Sequence, residues 1–451
     1  MLPSIIERFL AQSPICVMAS VVVENLFAPA RLEDLFQRSA QVQDQRKLLF
    51  SAVVELMSSV VLGVEPSVYC AYRKRRHQLK VSDQAVYDKL AGMELEVSAA
   101  LVRNSAQHVE ALVDELKARV PAWLPGYRVR VLDGNHLSAT EHRLEELRTT
   151  WAAPLPGKVL AVLEPESGLA TQVFLTPDGH ASERSLLDEV LARVAQRDLW
   201  IADRNFCTRK FMFEIGTKSG FFIVRQHGTV QGKLSESREY KGEGPTGKIY
   251  EQAVIFDYAG QLHTLRRITV ELKEATRDGD WTLHLLTNLP TDVSSVRVAD
   301  LYSKRWSIET LFYEVTTTLN CEIKTLCYPK AALFTFCLAL VAANAVAAIK
   351  AALRVTQGSE KVDELSGYYL ALEIKQVHEG MRIAVPPVYW DECARLPIRE
   401  FAARLCEMAR HVDLERYRKS VRGPKKPPPK KSRYKNGGHV STHKLLTDPE
   451  H

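Results

Sequence analysis

Tyr302, Arg305 and Glu309 stand at i, i+3 and i+7 within the run from Asp300 to Glu314. A helix over this run sets a phenol, a guanidinium and a carboxylate on one face. Leu301, Ile308, Leu311 and Phe312 supply an apolar face beneath them. Such a trio suits phosphodiester chemistry: the carboxylate can hold a hard metal ion, while the guanidinium fork and the phenol hold a phosphate. A surface helix with an Arg–Glu i,i+4 pair has the same spacing, so the upstream acids decide between the readings. Asp133 ends the alternating run Tyr127-Arg-Val-Arg-Val-Leu, and Asp203 follows the apolar run Leu199-Trp-Ile-Ala202. Taken singly, Asp133-Gly134 also reads as a turn and Asp203 as the cap of a following helix. Taken together, three acids repel one another unless a cation joins them. Mg²⁺ or Mn²⁺ accepts such oxygen ligands, and two ions about 4 Å apart could activate a water or a 3′-hydroxyl and stabilise the leaving oxygen.

The elements that must position these groups are legible in outline. Residues 127–133, 158–163 and 170–175 read as strands, Ser182 to Ala195 as an amphipathic helix, and 199–202 as a fourth strand. Three strands, a helix and a strand is the opening order of a ribonuclease-H-like sheet, in which Asp133, Asp203 and Glu309 converge at one sheet edge. The expected fold is therefore α/β, a ribonuclease-H-like mixed sheet with helices, formed by residues 116–219 and 281–360. Between them, 220–280 holds strand-like runs joined by Gly- and Lys-rich turns and reads as a β-rich insertion. Trp281 to Thr287 resumes the core as its last strand.

Residues 1–115 carry helical periodicity and read as a helical domain that binds DNA ends. Its basic cluster Arg73, Lys74, Arg75 and Arg76 precedes a helix opened by Ser82. A helix after a basic turn fits helix-turn-helix DNA readout, and an ordinary solvated helix fits as well. Residues 361–415 read as a helical C-terminal region. From 416 to 451 the chain reads as a disordered basic tail, with eleven Lys and Arg and no acid between Arg416 and Lys444.

Composition bounds the partners. The chain has 451 residues, 46% hydrophobic and 25% charged, which is the composition of a soluble globular protein with room for about three domains. Its net charge of +6 favours polyanionic partners. Eight scattered cysteines form no CxxC pair, so reduced thiols in a cytoplasmic protein are expected. The N-terminus has no signal-peptide layout. The nearly apolar run Ala331 to Ile349 is just long enough to span a bilayer, but its alanine content, Thr335 and Asn344 point to a buried core helix, with no membrane partner.

At this point the chain resembles the DDE transposases of bacterial insertion sequences, in the cut-and-paste group with a Tyr-x2-Arg-x3-Glu-x6-Lys signature. The resemblance runs through Ser13-Pro14, Val81-Ser82, Ala85-Val-Tyr87, Val131-Leu-Asp-Gly-Asn135 and Ile201-Ala-Asp-Arg-Asn205 to Tyr302-Ser-Lys-Arg-Trp-Ser-Ile-Glu309. It implies that Asp133, Asp203 and Glu309 are a catalytic, metal-binding triad for two Mg²⁺ or Mn²⁺ ions. It further implies that Tyr302, Arg305 and Trp306, with Arg204, Lys304, Arg73, Arg75 and Arg76, contact DNA. The implied activity is cleavage at the terminal inverted repeats of the protein's own element and joining of the freed 3′-OH ends to target DNA. A homodimer acting at the bacterial nucleoid goes with that activity. One position departs from the signature: its lysine falls at Thr316, with Lys304 and Lys324 as substitutes. The departure leaves a catalytically inactive DNA-binding relic as the alternative, and a ribonuclease-H-like nuclease without strand transfer as a further one.

Overall fold

A computed structural model describes residues 4–42, 48–137, 153–235, 237–276, 279–321, 323, 326, 328–420 and 439–447. Among the described residues up to 115 the elements are helices: α1 (Ser4–Gln12), α2 (Pro14–Leu26), α3 (Pro29–Ser39), α4 (Phe50–Val61), α5 (Val68–Leu79), α6 (Asp83–Ala91) and α7 (Leu95–Glu115). Pro14 starts α2 at a position where its missing N–H costs nothing. The basic cluster lies on α5 rather than in a turn. Ser67 caps that helix through Cys70 N, and no breaker follows until Lys80 takes a left-handed conformation. Arg73 and Arg76 are exposed, whereas Arg75 is half-buried beside Ser59 and Glu55 of α4.

The central sheet uses β1 (Arg128–Leu137), β3 (Gly157–Glu164), β4 (Leu169–Thr176), β5 (Asp198–Ala202) and β6 (Phe221–Arg225), with a short β2 (Ala153–Leu155) lying outside it. Their spatial order is β4-β3-β1-β5-β6. β3 runs antiparallel to both β1 and β4, while β5 and β6 run parallel to β1. This order, with the second strand alone reversed, is the ribonuclease-H-like arrangement.

Alternation assigns the two faces. Val129, Val131, Leu199, Ile201 and Ile223 join one apolar cluster, and Leu132, Trp200, Ala202, Phe222 and Val224 join another. The second face is covered by α8 (Leu187–Ala192) and α9 (Arg209–Thr217). The helix expected over 182–195 is shorter than the pattern suggested, because residues 183–186 form a tighter 3₁₀ turn.

The segment after β6 adds strands to the same sheet: β7 (Lys233–Leu234), β8 (Glu239–Gly244), β9 (Gly247–Tyr258), β10 (Gln261–Leu272) and β11 (Thr282–Thr287). β11 pairs with both β6 and β10. Phe221–Arg225, grouped by sequence with the 220–280 insertion, is hydrogen-bonded to β5 as a strand of the core. The β9–β10 hairpin turns on Ala259 and Gly260, both at positive φ, which matches the twist of the strands.

Beyond the sheet come α10 (Ser295–Ser303), α11 (Trp306–Thr317) and α12 (Pro329–Gln357). The apolar run expected as a core helix lies in α12, whose side chains are buried against α7 and the sheet. Asn344 serves that packing: it accepts from Ala170 N at 2.9 Å and donates to Ala170 O at 3.0 Å, tying the helix to β4. Four helices follow, Ser359–Asp363, Gly367–Ala384, Pro387–Ala394 and Ile398–Ala409. Within the stretch read as a basic tail, β12 (His439–Ser441) pairs with β2 and leads into a helix, Thr442–Thr447. Residues 421–438, where most of the tail's basic charge falls, lie outside the described residues.

Candidate active site at the carboxyl ends of the parallel strands

The register brings Asp133 and Asp203 together. Leu132 of β1 pairs with Ala202 of β5 as the last matched row, so the two aspartates follow side by side where the parallel pairing ends. Neighbouring strands are about 4.8 Å apart, and each aspartate continues the alternation of the same face. The expectation that β1 stops at Asp133-Gly134 does not hold. The strand continues to Leu137 because β3 goes on pairing with it through Gly157.

Asp203 leaves β5 with its side chain accepting from Asn205 N at 2.8 Å. It thereby caps a 3₁₀ turn, Arg204–Phe206, so the cap and the site-facing acid are one residue. Asp133 accepts from Gly134 N at 2.9 Å. Burial is the main influence on Asp133, and its carboxyl is pushed up to about 6. Arg305 opposes that rise, while Asp203 and Glu309 add to it.

Glu309 arrives from α11, anchored by Ile308 and Phe312 in the core. The single continuous helix expected through 300–314 is broken at Lys304–Arg305. There Arg305 N bonds to Tyr302 O and Ile308 N to Arg305 O, a local tightening to three-residue spacing. Arg305 is pulled inward by this break: its side chain is 10% exposed and Asp133's is 16%. Its Nη1 donates to Asp133 Oδ2 at 2.5 Å and its Nη2 to Glu309 Oε1 at 3.1 Å. Burial lowers the Arg305 pKa, and Asp133, Tyr302, Glu309 and Asp203 more than offset it. Nε of Arg305 is buried without a hydrogen-bond partner. Tyr302 is buried beside this guanidinium, its phenol pushed up first by burial and held back by Arg305.

The remaining expected contacts divide. Trp306 is 62% exposed at the rim, 5.7 Å from the Arg305 guanidinium. Arg204 is exposed beside Asp203. Lys304 turns to Asp300 at 3.1 Å and lies over the Trp123 ring. Thr316 spends its hydroxyl on Phe312 O at 2.8 Å, and Lys324 lies outside the described residues. Arg73, Arg75 and Arg76 are not part of this cluster.

Sequence reasoning missed Glu183. Its Oε2 accepts from Asn205 Nδ2 at 3.3 Å, and the neighbouring Arg184 donates Nε to Asn205 O at 2.8 Å. The pair clamps the turn that holds Asp203. Glu183 also occupies the space above Gly134, where an added Cβ would meet Oε1 at 2.4 Å. Burial, then Asp203, raises its carboxyl pKa. The available signal was Ser182 as a cap, with an acid directly after it, at the first turn beyond the third core strand.

Oxygen donors of this kind suit a hard divalent ion. Among the described residues, no group of three or more His, Cys, Asp or Glu stands close enough to hold one. Arg305 lies between Asp133 and Glu309 and bonds to both. The donor chemistry of these acids fits a hard ion.

Asp133 and Asp203 thus stand at neighbouring strand ends, and Glu309 comes from the second helix after the last core strand. Residues 124–345 match the family model of a transposase DDE domain. The matched segment contains Asp133, Asp203, Tyr302, Arg305 and Glu309. It takes in the sheet and the start of α12, and it leaves out α1 to α7 and everything after residue 345. No curated protein matches the chain. Among solved structures, the piggyBac transposase synaptic complex with hairpin DNA is similar over 84% of this chain and 83% of that one. The identity is 10% and the TM-score 0.40, a level at which nothing carries over to this chain.

Proposed function

We propose that this protein is a DDE-type DNA transposase of a bacterial insertion sequence. It binds the terminal inverted repeats of its own element, cleaves their ends by metal-dependent phosphodiester hydrolysis and joins the 3′-OH ends to target DNA. The observation that carries the reading is a buried arginine bonded to both Asp133 and Glu309, with Asp203 on the strand end beside Asp133, all within the DDE-domain match.

Asp133, Asp203 and Glu309 would hold the divalent ions, which supply an activated nucleophile and charge stabilisation at the leaving oxygen. The rest falls to the chain's own groups. Arg305, unlocked from Asp133, presents a two-pronged donor to a phosphate, and Tyr302 offers its phenolic O–H beside it. The Asn205 turn, clamped by Glu183 and Arg184, keeps Asp203 oriented. The helices before residue 116 recognise the repeat, with Arg73 and Arg76 exposed on α5, and two protomers hold two ends.

The test is nicking of DNA that carries the inverted repeats flanking the gene, in Mg²⁺, by wild type and by Asp203→Asn. Nicking at the element boundary by wild type alone is the expected result. Cleavage that persists in Asp203→Asn would refute the triad. Binding without nicking by either protein is the outcome of the relic reading, which Thr316's self-satisfied hydroxyl favours.

A further inference from the structure

The register row that joins Asp133 and Asp203 extends one strand further. Ala202 of β5 pairs with Val224 of β6, so the next residues are Asp203 and Arg225. Just past the last rows of the parallel pairing, three adjacent strands therefore carry an aspartate, an aspartate and an arginine, at steps of about 4.8 Å. Arg225 opens a cleft of 410 Å³ whose walls include Arg204, Gln226, His227, Asp280 and His284. It begins at the two residues that follow Asp203.

The cleft is lined mostly by side chains that carry nitrogen donors. Among the described residues Asp280 is its one lining carboxylate, and Arg225 pairs with it at 2.6 Å. Arg267 stands behind the wall and donates Nε to Gln226 Oε1 at 2.8 Å. Its own pKa is lowered by burial and then by Arg238, as guanidinium groups crowd the site. His284 is pushed down to about 4 by burial, then by Arg267, Arg238 and Arg225. Burial is the larger influence on this imidazole, and the three guanidinium groups near it act in the same direction. Arg225 also acts on the Tyr302 phenol, so the cleft and the acid site share one field.

We infer that this cleft binds the phosphodiester backbone of the DNA strand that continues past the cleavage point. Arg225, in the row of the two aspartates, and His227, two residues further on, are the contacts. The inference rests on the transposase reading and goes beyond it by assigning a binding site to residues outside the Tyr-Arg-Glu signature. A backbone fits better than a free phosphate because the groups that can donate to phosphate oxygens are strung along the cleft. Arg204 and Arg225 stand at its Asp203 end, His227 lies on the loop after β6, and His284 lies on β11.

The experiment uses the full chain in EDTA, so that no strand is cut. Affinity and its salt dependence are measured for repeat-end DNA with a flanking strand and for the same DNA ending at the cleavage point. Removing one phosphate contact lowers the salt slope by about 1, with a loss of roughly tenfold at moderate salt. Arg225→Ala is expected to show that loss on flanked DNA and little change on the truncated DNA. Arg225→Lys retains most of the affinity. His227→Ala removes a ring whose own hydrogen bond is to Thr229 of its loop, so it tests the cleft without touching the Asp280 pair. Equal loss on both DNAs, or no loss from either alanine variant, overturns the assignment. Failure of the unmodified protein to bind either DNA would sink the transposase reading and the cleft with it. Competition by inorganic phosphate at low millimolar concentration as effective as by a flanking oligonucleotide would also overturn the backbone assignment, in favour of a simple anion site.

Discussion

Arg305 is ion-paired to Asp133 across 172 residues of sequence, and the same guanidinium reaches Glu309 four residues further along its own chain. In this structure Asp133 and Glu309 thus share one guanidinium as their counter-charge.

The first consequence concerns stability. Removing one partner of a buried pair strands the other. Arg305→Ala should therefore cost about 2 kcal/mol at pH 8, where Asp133 is left charged with no cation beside it. Losing Arg305 also takes away the group that opposes the rise in the Asp133 pKa, so the acid binds its proton more tightly than in wild type. At pH 5 Asp133 is then neutral, and the cost should shrink to less than half. Urea unfolding at the two pH values measures this, and an equal loss at both would show that Asp133 is not the group left behind.

A second consequence follows from the Asp133 carboxyl at about 6. Its pKa in the folded protein lies above the usual value, so between roughly pH 4 and 6 the folded chain holds a proton that the unfolded chain releases. Stability from this group thus falls as pH rises through that window. An ion that uses Asp133 as ligand must displace the same proton. Calorimetry of Mg²⁺ or Mn²⁺ binding in buffers of different ionisation enthalpy should show close to one proton released at pH 5 and almost none at pH 8. Apparent affinity should drop at low pH accordingly. Equal proton counts at both pH values would remove Asp133 from the metal site.

The limits of what the sequence could disclose are specific. The strands that lead to Asp133 and Asp203 were legible because each is an apolar or alternating run, and the helix that carries Glu309 because Leu301, Ile308, Leu311 and Phe312 share a face. The sheet order followed from the number and sequence of those runs. Gly134 was misread as a stop because an Asp-Gly pair carries the chemistry of a turn, while the pairing with β3 that overrides it comes from residues more than twenty positions away. The break at Lys304–Arg305 was hidden because the local pattern remains helical. It becomes visible only when Asp133 draws the arginine inward. Glu183 and Arg225 were invisible for a related reason: strand register and the packing of a short 3₁₀ turn, not spacing, put them beside Asp203.

Glu183 yields a third prediction, tested through Gly134. A methyl group there meets the far end of a flexible carboxylate and, at 3.1 Å, Cδ2 of the buried Leu160, so Gly134→Ala should cost about 1–2 kcal/mol while pushing Glu183 off Asn205. The Asp203 turn then loses one side of its clamp. End cleavage should fall by tenfold or more with end binding unchanged. In a double-mutant cycle with Glu183→Ala, the second change should add little once the first is made. Additive losses would mean that Gly134 and Glu183 act on different parts of the site.

Thr316 offers the fourth. It is exposed on α11, seven residues after Glu309, with its hydroxyl bonded back to the helix backbone. That bond gives the helix little, and lysine is the better helix former. Thr316→Lys should leave stability within about 0.5 kcal/mol of wild type. It would restore the signature's cation two helical turns beyond Glu309, on the same side of the helix as the acid. If the end DNA runs along that face from Arg305, affinity for it should rise several-fold, and the salt slope should steepen by about 1. Nicking by the variant where wild type nicks weakly would identify position 316 as the point at which this copy lost activity. Unchanged affinity and slope would place the DNA path elsewhere, leaving the phosphate contacts to Arg305, Tyr302 and the cleft beyond Asp203.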